Sequence, residues 1–481
     1  MNLREVLHIV GALLVWSAGA MLPSAGLGIG EGLLGPWLIA AGATGLAGLT
    51  LWLGTPKVVS INPREGLAVV GLGWLAVVAF GSLPFLATGV VPSVPAALFE
   101  SVSGFTTTGA SVFPVIEDLP RSILLWRSMS HWVGGMGIIV LGVAILPLLG
   151  VGGAQLFRAE APGISNDRLT PRIASTARLL WGVYALFTVV LGLAYLVLGM
   201  GPFDAVNHAM STLATGGFST RTASLGAFGP AIQWITILFM FLAAANFTLH
   251  LRALSGKPMA MLRDPEFRWY LISTVAVIAI AFAVLSVGAG GESGRFRAAT
   301  FNVVAIHTTT GFATEDFAAW PALLQVLLLG LMFMGGMGGS TAGGFKVVRA
   351  AVVTQHVFNE LRKVLHPRAV VVTRLGRQAV RPDIVLNVLA FLALYMFTHA
   401  LGTVALTALG HDLITAMSAS LSAMSSVGPG LGTVGPASHY GDVGSAAQLV
   451  LSALMLLGRL EFYTLLVLVL PETWNRAGGH R

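Results

Sequence analysis

Four short runs of glycine, threonine and serine are the residues whose types and spacing suggest a binding chemistry. They recur at intervals of roughly 100 residues, which marks an internal repeat. Their sequences are GFTTTGAS (104–111), TLATGGFST (212–220), HTTTGFAT (307–314) and MSSVGPG (424–430). Carbonyl and hydroxyl oxygens from four such turns can replace the hydration shell of a monovalent cation without a formal charge. The spacing therefore predicts one cation site built from all four runs.

The residues expected to line this site follow from aligning the central glycine of each run, which groups Gly109, Gly216, Gly311 and Gly428. Glycine permits the dihedral angles that aim consecutive carbonyls inward. A single run of this kind is an ordinary loop sequence, and small residues also occur where helices pack closely. Four copies in the same order favour a selectivity filter. The predicted ion-binding residues are Thr107, Thr108, Gly109, Thr215, Gly216, Thr309, Thr310, Gly311, Ser426, Val427 and Gly428.

A glycine-rich segment, 335–346, is the second candidate, with six glycines in its first ten residues. The apolar segment before it, 320–334, would extend only about 21 Å as a helix and so ends within the membrane. A phosphate-binding loop is disfavoured, because the Walker spacing and a preceding strand are both missing. Close helix packing stays open beside a movable gate under the filter. The predicted gate residues are Gly335, Gly336, Gly338, Gly339, Ser340, Thr341, Gly343, Gly344 and Lys346, with Arg459.

Arg459 lies in a segment that is otherwise apolar, ALMLLGRLEFYTLLVLVL. A charged residue at membrane depth is costly and marks a candidate functional site. One interpretation is an electrostatic barrier in the pore, and the other is a structural ion pair. Glu461 is a poor partner within the same helix, because residues two apart do not share a helix face.

The elements that position these residues are predicted to be membrane spans, since 55% of the 481 residues are hydrophobic and only 10% are charged. The net charge of +7 is concentrated in alternate loops, which indicates membrane topology rather than nucleic acid binding. Both termini are therefore expected in the cytoplasm, with a retained first helix favoured over a cleaved signal peptide. The predicted spans are 5–22, 33–54, 66–88, 122–149, 177–200, 230–254, 268–289, 383–409 and 444–470, with a shorter one at 320–334.

The predicted fold is an all-α polytopic membrane protein with four repeats around one pore and two extra N-terminal transmembrane helices. Each repeat is a helix, a pore half-helix of only about ten residues, a filter turn and a second helix. The boundaries are 1–60 for the extra helices and 61–155, 156–256, 257–375 and 376–481 for the repeats. The third and fourth repeats are expected to gate, because they carry the glycine-rich segment and Arg459. The first two are expected to act as scaffold.

Several segments resemble the Trk/Ktr/HKT potassium transporter superfamily. They are ALFESVSGFTTTGAS, DAVNHAMSTLATGGFS, HTTTGFAT, WRSMSHWVGGMGIIVL, GGMGGSTAGGFK and LLGRLEFYTLLVL. The two extra N-terminal helices and the length resemble TrkH members rather than the shorter KtrB. The resemblance implies one pore per subunit, a homodimer in a prokaryotic cytoplasmic membrane, and a cytoplasmic TrkA-like nucleotide-binding regulatory subunit. It implies potassium as the transported ion, because four filter glycines accompany potassium selectivity in this superfamily.

The resemblance also implies an intramembrane gate loop at 335–346 and a pore-facing arginine at Arg459. Pro429, directly after the fourth glycine, departs from the other runs and puts the fourfold symmetry of the outer end in question. The basic stretch between Arg349 and Arg381 is the expected docking surface for the regulatory subunit.

Two other function classes remain as alternatives. A sodium- or proton-coupled symporter would need buried carboxylates along the pathway, for which Glu100, Asp204 and Glu461 are the candidates. A membrane-embedded enzyme would need paired histidines or carboxylates at ligand spacing, and the sequence favours none. There are no cysteines, so disulfide and thiol chemistry do not enter.

Overall fold

The computed structural model describes residues 1–56, 62–144, 169–286, 292–376 and 378–474. Parts of two predicted basic loops, around Lys57 and Arg158, and the basic tail with Arg476 and Arg481 lie outside the described residues, as does the predicted boundary at 155. In the described part the chain is all-α apart from one short antiparallel hairpin.

Two helices precede the repeats, and the first repeat follows them. Proline occupies the first turn of several helices, where its missing N–H costs no hydrogen bond. The elements are α1 Leu3–Gly30, α2 Leu34–Leu53, α3 Pro63–Gly81, α4 Leu83–Ala87, α5 Val94–Phe105 and α6 Arg121–Ala144.

The second repeat repeats this order, but its last span is broken. Its elements are α7 Leu169–Val197, α8 Pro202–Leu213, a 3₁₀ turn Ser224–Ala227, α9 Pro230–Ala243 and α10 Phe247–Leu254. The span predicted at 230–254 corresponds to α9 and α10, which meet at an angle of 103°, so it is a bent pair rather than one continuous helix.

The third repeat contains the glycine-rich segment, which interrupts its last span. Its elements are α11 Met259–Arg263, α12 Pro265–Ser286, α13 Glu292–His307, a 3₁₀ turn Phe317–Ala319, α14 Ala322–Met334 and α15 Val347–Leu365, followed by the hairpin strands β1 Arg374–Leu375 and β2 Gln378–Ala379. The short helix that precedes the segment agrees with the predicted end near residue 334.

The fourth repeat also has a broken last span. Its elements are α16 Pro382–Ala408, α17 Leu413–Ser425, a 3₁₀ turn Gly432–Val434, α18 Ser445–Arg459, α19 Tyr463–Val469 and α20 Pro471–Trp474. The span predicted at 444–470 corresponds to α18 and α19, which meet at 113°, so it is a bent pair rather than one continuous helix. Arg459 is the last residue of α18 and therefore lies at the bend rather than inside a continuous helix.

Six helices in the described part of the chain are long and apolar enough to cross a membrane, and the two bent pairs raise this number to eight. The predicted span 122–149 corresponds to α6, and its last five residues lie outside the described part. The four short helices α5, α8, α13 and α17 contain 12, 12, 16 and 13 residues. Each is too short to span a bilayer of roughly 30 Å, as the repeat pattern predicts for half-helices.

Candidate functional site

The four glycine and threonine runs share one backbone conformation. Each half-helix is followed by a non-glycine residue with a positive φ, and two residues later by a glycine with a positive φ. The non-glycine residues are Thr107, Thr215, Thr309 and Ser426, with φ of 54°, 53°, 55° and 54°. The glycines are Gly109, Gly217, Gly311 and Gly428, with φ of 82°, 80°, 74° and 101°. Strained backbone of this kind clusters at binding sites, where the surrounding structure holds it in place.

These four glycines form a closed ring of close contacts between successive repeats. A Cβ atom on Gly109 would overlap the carbonyl oxygen of Gly216, and one on Gly217 would overlap that of Thr310. A Cβ on Gly311 would overlap the carbonyl oxygen of Val427. The ring closes at the fourth repeat, where a Cβ on Gly428 would overlap the carbonyl oxygen of Thr108. Glycine is therefore required twice, for its dihedral angles and for the close approach of a neighbouring backbone.

The second repeat is shifted by one residue from the alignment made on sequence. The backbone equivalent of Gly109 is Gly217, so grouping Gly216 with the other filter glycines is wrong. Gly216 occupies the position of Thr108, Thr310 and Val427. A side chain there would overlap the imidazole of His131, which stacks on Phe218 with ring centroids 4.0 Å apart. Because two glycines are adjacent in the run ATGG, the sequence alone does not decide which of them is the ring glycine. Nothing in the sequence indicates that His131 packs against this run.

Pro429 does not break this ring, because Gly428 makes the same contact as its three equivalents. The backbone position of Pro429 corresponds to Ala110, Phe218 and Phe312. Two side chains fix the fourth run at its glycine: Ser422 Oγ and Tyr440 Oη both donate to the Gly428 carbonyl, at 2.9 and 2.7 Å.

Hydroxyl groups lie at the position two residues before each ring glycine. Thr107 Oγ1 and Ser426 Oγ are buried and have no hydrogen-bond partner in the part of the chain that the structure describes. Thr309 Oγ1 accepts from the Gly343 N–H at 2.7 Å, and Thr215 Oγ1 donates to the Ala214 carbonyl at 2.6 Å. Unpartnered buried oxygens are costly unless a ligand or water satisfies them. Their position beside the half-helix C-termini, where the helix dipole is negative, suits a cation.

On the other side of the ring, an open cavity of about 540 Å³ is lined by all four repeats. Gly109, Gly217, Gly311 and Pro429 form part of its wall. Partial burial raises the pKa of the nearby Glu117 carboxyl, but hydrogen bonds from the side chain and backbone of Thr222 outweigh it and hold that pKa below its usual value. Glu117 is therefore ionised at neutral pH and gives this vestibule a negative charge.

Segment 335–346 lies directly beneath the ring and contacts three repeats. Thr341 Oγ1 donates to the carbonyls of Leu213 and Ala243, at 3.0 and 3.1 Å. The Gly343 N–H bonds Thr309, and a Cβ on Gly343 would overlap the Ser425 carbonyl. The segment also pairs with the bend between α9 and α10, where Met337 N–H donates to the Ala244 carbonyl at 3.0 Å. The break in the second repeat therefore supplies backbone groups that hold the segment.

Arg459 is buried and holds the middle of this segment, with Nη1 donating to the Thr341 carbonyl at 2.8 Å. Its Nε and Nη2 are buried without a hydrogen-bond partner among the described residues. Glu461 instead pairs with Arg349, whose Nη2 lies 2.6 Å from the carboxylate. Lys346 bonds back to the Ala342 carbonyl.

The two ends of the segment are fixed by buried polar groups that sequence reasoning missed. Glu266 Oε1, near the start of α12, accepts from the Gly338 N–H at 2.7 Å and the Val348 N–H at 3.2 Å. Arg349 follows the segment on α15 and donates to the Phe345 carbonyl at 3.3 Å as well as pairing with Glu461. Both residues lie in basic, loop-like stretches of sequence, where a charged residue is expected to be solvated.

Comparison with known proteins identifies the family. A family model described as TrkH, cation transport protein, matches residues 45–475. The Trk system potassium uptake protein TrkH of Vibrio parahaemolyticus is 41% identical over 488 residues, covering 99% of this chain and 100% of that protein. TrkH of Halomonas elongata is 39% identical with the same coverage. The crystal structure of the potassium transporter TrkH from Vibrio parahaemolyticus matches with a TM-score of 0.91 at 39% identity, over 99% of this chain and 100% of that one. The chain therefore belongs to the TrkH family of cation transport proteins and is a multi-pass membrane protein.

Proposed function

We propose that this protein takes up potassium across a cytoplasmic membrane through a filter formed by the ring of Gly109, Gly217, Gly311 and Gly428. The observation that carries the proposal is the ring itself, in which each repeat's glycine packs on the backbone of the next. Such packing brings carbonyl oxygens from four backbone segments of the same chain to one axis, as a filter for monovalent cations requires. The similar TrkH proteins are named for potassium uptake, which supports the choice of ion.

The experiment is expression in cells that lack potassium uptake, grown on low-potassium medium. Wild type is expected to restore growth, and Gly217→Ser is expected to lose its potassium preference in tracer uptake. Failure of the wild type to restore growth, with the protein present in the membrane, would contradict the proposal.

Segment 335–346 and Arg459 form the proposed gate. The segment closes the path below the ring, and Arg459 places a buried cation there while bonding its backbone. An unpaired cation at this depth opposes the passage of another cation. Movement of the segment away from the ring would break its contacts with Thr309, Leu213 and Ala243. Each of these contacts is one hydrogen bond.

Obligatory coupling to sodium or protons is the second candidate, and the three carboxylates considered for it are engaged by arginines. Glu100 pairs with Arg127 at 2.7 Å, Asp204 with Arg221 at 2.9 Å and Glu461 with Arg349 at 2.6 Å. Each carboxylate already has an arginine as its counter-ion, which leaves it a poor site for a coupling cation. Potassium flux driven by voltage alone in proteoliposomes is the expected result, and an absolute requirement for a sodium or proton gradient would favour the symporter.

We also propose that the protein acts as a homodimer with its termini in the cytoplasm, regulated by a TrkA-like nucleotide-binding subunit. The docking surface is narrower than the basic stretch 349–381, because Arg349 is buried and paired with Glu461. Among the residues of the stretch that the structure describes, the exposed lysine and arginines are Arg362, Lys363, Arg368, Arg374 and Arg381. Charge reversal at Arg368 and Arg374 is expected to weaken binding of the regulatory subunit, and unchanged binding would place the docking surface elsewhere.

A further inference from the structure

The backbone that leaves each filter glycine is tied back to its own half-helix by a buried polar side chain. We call the three residues after each ring glycine the exit strand: 110–112, 218–220, 312–314 and 429–431. In the first three repeats the tying residue lies nine positions before the ring glycine, and it is Glu100, His208 or Asn302. In the fourth repeat Ala419 occupies that position, and the neighbouring Ser418 takes its place.

The contacts are made to the same backbone N–H group in the first, third and fourth repeats and to a neighbouring hydroxyl in the second. Glu100 Oε2 accepts from the Val112 N–H at 3.0 Å, and Ser418 Oγ accepts from the Leu431 N–H at 2.8 Å. Asn302 makes two bonds to Thr314, accepting from its N–H at 3.3 Å and donating from Nδ2 to Oγ1 at 3.1 Å. His208 Nε2 lies 2.9 Å from Ser219 Oγ. Three of the four side chains therefore accept from the backbone N–H of the third exit-strand residue, and His208 instead contacts the side-chain hydroxyl of the second.

All four tying residues are completely buried, with none of their surface exposed. A buried polar side chain must be hydrogen-bonded, and one partner of each of these residues lies on the exit strand of its own repeat. Chemistry is not shared between the four residues, which are an acid, an imidazole, an amide and a hydroxyl. What they share is a bond to the exit strand of their own repeat, so the contact serves the exit strand rather than a common ligand.

The first of these ties extends to the second repeat through a buried cation. Arg127 donates from Nε to Glu100 at 2.7 Å and from Nη2 to Ser111 Oγ at 2.9 Å. Its Nη1 donates to the Ser219 carbonyl at 3.3 Å, and its guanidinium lies over the Phe218 ring at 3.9 Å from the centroid. The exit strands of the first and second repeats are therefore joined through one ion pair.

We propose that Glu100, His208, Asn302 and Ser418 are positioning residues that set ion discrimination by fixing the exit strands. The ring glycines have no side chains, so they make no side-chain contact that could fix their own positions. Oxygen positions in a filter decide how well potassium competes with the smaller sodium ion. When the contacts that support a binding site are lost, the site first loses its defined geometry and only then its ability to bind. The inference rests on the proposed potassium filter.

The test uses the third repeat, because its tie carries no formal charge. The full-length protein is reconstituted into proteoliposomes, and the ratio of potassium to sodium tracer uptake is measured at equal protein content. Asn302→Leu removes both bonds to Thr314 and is expected to lower the ratio about fivefold, as the loss of buried hydrogen bonds implies. Thr314→Val removes one bond at the partly exposed end and is expected to lower it less, whereas Thr314→Ser keeps the hydroxyl and the wild-type ratio.

Thr300→Val is the matched control, since Thr300 is a buried residue of the same half-helix that bonds only its own helix, at the Phe296 carbonyl. It is expected to keep the wild-type ratio. Unchanged ratios in both Asn302→Leu and Thr314→Val would overturn the inference, and Thr314→Val alone decides if Asn302→Leu does not fold. A wild type that does not prefer potassium would instead overturn the proposed function, and the inference with it.

Discussion

At the scale of residues, the two adjacent glycines of the second repeat have different tasks. Gly217 has a φ of 80° and packs against the Thr310 backbone, whereas Gly216 has an ordinary φ and faces the ring of His131. A second substitution can shorten a side chain that blocks a new methyl group, but it cannot remove a backbone carbonyl that does so. The two positions are therefore distinguishable by whether a second substitution relieves the first.

We expect Gly216→Ala to reduce the potassium to sodium uptake ratio, and His131→Ala to restore part of it by opening space for the new methyl group. Gly217→Ala adds a left-handed strain of about 1–2 kcal/mol to a backbone overlap, so His131→Ala should not rescue it. Tracer uptake at equal membrane abundance measures both. Rescue of Gly217→Ala but not of Gly216→Ala would show that the register is the one aligned on sequence.

The buried pair of Glu100 and Arg127 makes a prediction about stability. Glu100→Gln leaves the Arg127 charge buried without a counter-charge, which costs about 3–5 kcal/mol. The double variant Glu100→Gln with Arg127→Met removes both charges and should recover most of this loss. Thermal unfolding in detergent measures the effect, and equal melting temperatures for the single and double variants would argue against the ion pair.

At the scale of elements, the sequence predicts those helices whose bounds follow from residue composition and segment length. The half-helices were predictable because they are short and end at recurring polar runs, and α14 was predictable because glycines follow it. The bends at Ala244–Asn246 and Leu460–Phe462 were not, because AAANF and RLEFY contain neither glycine nor proline. Tertiary contacts impose them: the Ala244 carbonyl is taken by the gate segment, and Glu461 and Phe462 hold positive φ of 55° and 52° where Glu461 pairs with Arg349. Freed backbone is tolerated at membrane depth only where such partners exist.

Glu266 should hold the gate segment closed, because one carboxylate oxygen binds the Gly338 and Val348 N–H groups. We expect Glu266→Leu to raise potassium flux through the unregulated protein several-fold. Glu266→Gln keeps an oxygen acceptor and should retain low flux, which separates the bond from the bulk of the side chain. Flux is measured in proteoliposomes without the regulatory subunit; low flux in both variants would remove Glu266 from the gate.

Arg459→Ala should also raise flux, since it removes a buried cation and the bond to the Thr341 carbonyl. Arg459→Lys keeps the charge but not the guanidinium geometry, so its flux should lie between those of wild type and Arg459→Ala. Single-channel or vesicle flux at fixed voltage is the readout. If Arg459→Ala is present in the membrane and its flux equals that of the wild type, Arg459 is not a barrier.

At the scale of the whole molecule, the filter is nearly fourfold while the inner side is not. The last span of the first repeat, α6, is unbroken in its described residues, whereas those of the other three repeats are bent or interrupted. The bend of the second repeat contacts segment 335–346 directly and holds it from one side, and the expected role of this repeat as scaffold stays a prediction. In the proposed mechanism, the symmetric ring selects the ion and the asymmetric inner side closes the path, so that one filter serves a gate that moves in one place.

The most direct test of the central claim is an anomalous diffraction experiment on crystals soaked in rubidium or thallium. An anomalous peak is expected on the axis of the ring, within coordinating distance of carbonyl oxygens from all four runs. In the second run, these oxygens are expected to come from Gly216 and Gly217. Gly217→Ser should abolish that peak. Anomalous peaks found only away from the ring, in wild-type crystals that diffract well, would contradict the assignment of this ring as the filter.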